Sequence, residues 1–113
     1  FPADSNRKGM EKHSRCREPA LDVADALKPL AARKKATLAE FSLAWVVSQP
    51  GITSAITGIR TVDQLKSCLK ALRIRFNKDD YARINAIVPP GSWVADYWNG
   101  NVHRRLRTAA GIR

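Results

Sequence analysis

Apolar residues recur at Leu21, Ala24, Leu27, Leu30 and Ala31, which is the spacing of one helical face. The pattern predicts a helix over 21–32. Pro29 falls inside it and should kink or split the helix near Lys28, because proline lacks an N–H and clashes with the preceding turn. Arg33, Lys34 and Lys35 follow, where positive charge suits a helix C-terminus. Thr37 opens a second helix through the capping box "TLAE", with Glu40 three residues on. Leu38, Phe41, Leu43, Ala44, Trp45 and Val46 make its apolar face broad, so it should be largely buried. "QPG" at 49–51 stops it. Ile52–Thr57 is short, rich in β-branched residues and bounded by glycines, and reads as a strand. A second box, "TVDQ" at Thr61–Gln64, starts a third helix with a stripe of Leu65, Cys68, Leu69 and Leu72. Asn77 caps a fourth, with Tyr81, Ile84, Ile87 and Val88 on its inner face and "PPG" at 89–91 beyond it.

The predicted order is helix, helix, strand, helix, helix. A single strand leaves its N–H and C=O groups unpaired and calls for partner strands. Three regions follow: a polar, loop-like or disordered lead-in over 1–20, an ordered part over 21–91, and a loop and basic tail over 92–113. At 113 residues the chain suits one small domain at most. It begins with Phe1 rather than Met, so we expect part of a longer product, a processed chain or an incomplete gene model. The apolar runs are too short to span a membrane, and the N-terminal residues lack a signal peptide's apolar core. Cys16 and Cys68 make no disulfide framework, so a cytoplasmic setting is the expectation.

Twenty Lys and Arg against ten Asp and Glu give a net charge of +10. That balance raises the prospect of a polyanionic partner. The basic residues are nevertheless dispersed along the chain and no reading helix is evident, which argues against nucleic acid. More specific is the junction "TGIRTVDQ", where Gly58 and Arg60 lie between the predicted strand and the third helix. Glycine permits close backbone approach, a helix N-terminus offers free N–H groups, and a guanidinium fork fits phosphate. An ordinary βα turn with a solvated arginine would look the same.

The stretch "ALKPLAARKKATLAEFSLAWVVSQPGITSAITGIRTVDQLKSCLKAL", 26–72, together with "INAIVPPG", 84–91, resembles the C-terminal third of the aldo-keto reductases. Each piece is short, but their order and spacing match over about 21–98. The resemblance implies an α/β fold, the last third of a (β/α)8 TIM barrel, mostly helical here with one clear strand. It implies NADPH-dependent reduction of an aldehyde or ketone, with a tyrosine giving a proton to the carbonyl oxygen and the nicotinamide giving hydride to its carbon. In such enzymes the last strand and the turn after it hold the adenosine 2′-phosphate. Gly58, Ile59 and Arg60 match that turn, with Arg60 facing the phosphate, and Gln64 matches a position reaching the adenine or its phosphate. Cys68 stands where the family usually has an asparagine on the adenine. Being a poor hydrogen-bonding substitute, it implies a weaker contact there. The family's catalytic Asp, Tyr, Lys and His come from the first half of the barrel and have no counterpart here. No catalytic residue is therefore assigned, and Tyr81 and Tyr97 lie in the wrong segments.

His13, Cys16, Cys68 and His103 are residue types that bind zinc, but a lone H-x2-C without a second pair is no metal motif. Trp93, Tyr97 and Trp98 could anchor the tail, wall a substrate pocket or stack bases. Two alternatives stand beside the cofactor-binding reading: a truncated, non-catalytic remnant, and a small basic helical module on nucleic acid. Nothing in the sequence fixes an oligomeric state.

Overall fold

The computed structural model describes residues 18–92, and the lead-in before Glu18 and the tail after Ser92, with the zinc-type residues His13, Cys16 and His103 and the aromatic cluster, lie outside them. The described residues form four helices: α1 (Glu18–Arg33), α2 (Leu38–Val47), α3 (Val62–Ala71) and α4 (Lys78–Ile87). Helix α1 packs against α2 and α4, and α2 packs against α3. The core joins Ala31, Phe41 and Ile84, with Leu27, Leu30, Trp45 and Phe76 packed around them. Phe76 meets Phe41 edge to face, with centroids 5.1 Å apart, and tilts against Tyr81 at 5.7 Å.

The three N-caps form as the sequence predicts. Thr37, Thr61 and Asn77 each accept the N3 backbone N–H, and the N3 side chains of Glu40, Gln64 and Asp80 accept the cap N–H in return. Gly51 ends the α2 exit turn at φ 85°, a left-handed conformation that glycine adopts without a Cβ penalty. The inner face of α4 also forms, with Ile84 buried and Tyr81, Ile87 and Val88 half-buried.

Four expectations are corrected. Helix α1 starts at Glu18 and runs through Pro29 unbroken. Pro29 and Asp25, whose carbonyl would have paired with the missing N–H, are both exposed, so water can take the freed acceptor. Ile52–Thr57 forms no strand, because among the described residues no second strand exists to pair with it. Helix α2 buries only Glu40, Phe41 and Ala44 and leaves Val46 38% exposed. The α3 stripe turns away from the helical core: Leu65, Leu69 and Leu72 are 43%, 56% and 50% exposed. Helix α3 presents Ser67, Lys70 and Ala71 toward α2 instead, drawn by the carboxylate of Glu40.

Candidate functional site

The predicted site residues surround the start of α3. Thr61 is extended at φ −129°, and its hydroxyl accepts the Gln64 N–H at 3.2 Å. Gln64 Oε1 accepts the N–H of Arg60 at 2.7 Å and that of Thr61 at 3.2 Å. One side-chain oxygen thus fixes the backbone on both sides of the helix start. It leaves the Arg60 guanidinium exposed and without a hydrogen bond or ion pair among the described residues. Asp63, also in the first turn, is turned to Lys66 at 3.5 Å.

Gly58 is exposed, and a Cβ built on it would meet nothing within 4 Å. Its φ lies outside the left-handed range, so the turn itself does not require glycine, and what the residue provides is open approach. Cys68 is a half-buried free thiol. It lies one turn beyond Gln64 on the same face of α3. A groove of about 550 Å³ runs between α2, α3 and the extended segment, lined by Leu43, Val47, Ile59, Leu65, Cys68 and Leu69 among others. The structure therefore brings Arg60 and Gln64 into direct contact and puts Ile59 and Cys68 in the lining of one groove.

Two polar centres behind the site carry little sequence signal. Glu40, 5% exposed, accepts from Thr37 N–H at 2.9 Å, Ser67 Oγ at 3.1 Å and Lys70 Nζ at 3.3 Å. The Thr37 N–H is the main reason its carboxyl lies below the ordinary range; burial opposes the shift, and Lys70 and Ser67 reinforce it. Asp80, 6% exposed, pairs with Lys34 at 2.5 Å. Burial pushes its carboxyl up, but the Asn77 N–H and the Lys34 ammonium together outweigh that and leave it lowered. The capping-box spacing marks Glu40 and Asp80 as N3 residues, yet their partners 30 and 46 positions away are visible only in the fold. Tyr81 is used in packing, its hydroxyl sharing a hydrogen bond with Ser48 at 2.9 Å. Among the described residues, no group of three or more His, Cys, Asp or Glu could hold a metal ion, and no helix is long and apolar enough to cross a membrane.

An open glycine and an arginine unpaired among the described residues thus stand at the start of α3. The sequence pattern of the aldo/keto reductase family matches residues 2–89, and the chain belongs to that family. It is 43% identical over 54 residues to an uncharacterized oxidoreductase, YrpG, of Bacillus subtilis (strain 168). That match takes in 47% of this chain and 17% of the relative. It is also 33% identical over 79 residues to a probable voltage-gated potassium channel subunit beta of rice, Oryza sativa subsp. japonica. There the match takes in 66% of this chain and 24% of the relative. The chain thus spans about a fifth of the length of these relatives. No solved structure matches it.

Proposed function

We propose that this chain is the cofactor-binding portion of an NADPH-dependent aldo/keto reductase. The observation that carries the reading is Arg60: a free, exposed guanidinium held by its own backbone at the N-terminus of α3. A 2′-phosphate placed there would meet the arginine fork and the positive end of the helix dipole. Gly58 leaves room for the ligand to approach the backbone, and Ile59 and Cys68 offer the adjoining groove wall. Gln64 orients the turn through its carbonyl oxygen. The cofactor, NADP(H), would supply hydride to an aldehyde or ketone. The residues that activate that carbonyl have no counterpart in this chain, so its share is capture and orientation of the nucleotide.

The test is calorimetric titration of the 113-residue chain, and of Arg60→Ala, with NADP+ and NAD+. We expect Arg60→Ala to weaken NADP+ roughly tenfold or more, the scale of a lost charge-assisted contact, and to leave NAD+ little changed. Equal losses for both would remove Arg60 from the phosphate role. No binding of either nucleotide would remove the site from this chain and favour the remnant reading.

A further inference from the structure

The basic residues that are dispersed along the sequence meet in the fold. The end of α1, the end of α3 and the connector to α4 border an open groove of about 470 Å³. Its lining holds five cations, Lys34, Lys35, Lys70, Arg73 and Arg75, and no carboxylate. Three of them are held in place. Lys34 donates to Asp80 at 2.5 Å and to the Arg75 carbonyl at 2.9 Å. Lys70 reaches Glu40 at 3.3 Å, and the Arg75 guanidinium reaches the Leu72 carbonyl at 2.6 Å. The two countercharges, Glu40 and Asp80, are buried behind the lysines, so the surface offered to solvent is positive. Lys35 and Arg73 are exposed, and their side chains have no partner among the described residues.

The C-terminal dipoles of α1 and α3 favour a cation near each end. They do not account for five cations converging on one groove while two stay unpaired. Nor is this the nucleotide site, for Arg60 and Arg73 lie at opposite ends of α3, a helix about 15 Å long. The groove is open, and no aromatic ring lines it to read or enclose a base. We propose that it binds the phosphodiester backbone of nucleic acid, without sequence preference. The overall charge of +10 draws such a strand in, and the groove gives it a track.

The test is anisotropy of a labelled single-stranded DNA of mixed sequence with the 113-residue chain over a range of salt concentrations. The site variant is Lys35→Asn with Arg73→Gln; asparagine tolerates the left-handed backbone of Lys35, φ 54°. The control, Lys28→Gln with Lys66→Gln, removes the same charge from two exposed lysines elsewhere. Far-UV circular dichroism confirms equal helix content in all three proteins. Each phosphate contact contributes about 0.7 to the slope of log K against log salt on a single strand. The site variant should therefore bind more weakly with a slope flatter by about 1.4, while the control keeps the parent slope. No binding at low salt overturns the proposal. So does an unchanged slope in the site variant, which would point to Arg104, Arg105 and Arg107 in the tail. Equal flattening in the control would show a diffuse charge effect and overturn it as well.

Discussion

Glu40 takes one cap hydrogen bond from its own helix and two contacts from α3, so a single carboxylate both starts α2 and seats its neighbour. Asp80 repeats the arrangement, capping α4 while pairing with Lys34 at the end of α1. Both carboxyls are lowered from ordinary values of 4.5 and 3.8. A lowered carboxyl adds stability that is complete above its unfolded value and is lost as pH falls through its native one. Helix content should therefore hold steady above about pH 5 and decline below about pH 4. Glu40→Gln keeps an acceptor for the cap but loses the charge facing Lys70. It should cost about 1 kcal/mol at neutral pH, and the deficit should shrink in acid, where the parent carboxyl is protonated as well. Chemical denaturation of both proteins across that range checks this, and a deficit independent of pH would mean that the charge of Glu40 contributes nothing.

At the scale of elements, the caps explain what was legible. A capping box is written in four adjacent residues and satisfied within them, so Thr37–Glu40 and Thr61–Gln64 could be read directly from the chain, and Asn77 as a cap, while its return bond to Asp80 emerged in the fold. The segment 52–57 could not, because a strand is a property of two segments and its β-branched residues state only a preference. The orientation of α3 was hidden for a similar reason. Its leucine stripe announces an apolar face, but which face meets α2 is decided by Ser67 and Lys70 reaching a carboxylate on another helix. At the site, the position of Arg60 before the third helix was legible in the chain, whereas the anchoring of its backbone by Gln64 is visible only in the fold. That anchor separates structure from ligand. Gln64→Ala removes the acceptor for two N–H groups and should cost about 1 kcal/mol. Gln64→Glu retains an N3 acceptor and should melt near the parent temperature, while its charge beside Arg60 weakens NADP+. Thermal melts alongside the nucleotide titration distinguish the two roles, and equal destabilisation by both substitutions would contradict the assignment.

Taken as a molecule, the chain has one satisfied side and one uncovered side. The α1, α2 and α4 contacts enclose a small core, while Ile56, Val62, Leu65, Leu69 and Leu72 are 103%, 68%, 43%, 56% and 50% exposed. Leu65, Leu69 and Leu72 line the groove that holds Cys68, and Val62 begins the helix that carries them. An apolar face of this kind is unfavourable in water at roughly 25 cal/mol per Å², and contiguous patches of this type mark surfaces that associate. In a family whose matched members are nearly three times longer, cover from further chain is the natural solution. For these 113 residues alone, self-association is the remaining route. Sedimentation velocity should therefore show concentration-dependent oligomers. Leu65→Lys with Leu69→Lys should shift the chain toward monomer with its helix content intact, because neither side chain belongs to the core. A parent chain that stays monomeric and melts in one sharp cooperative transition would mean that the face is covered within the chain itself. The remnant reading would then lose its physical basis, and the cofactor-binding portion would stand as an independently folded unit.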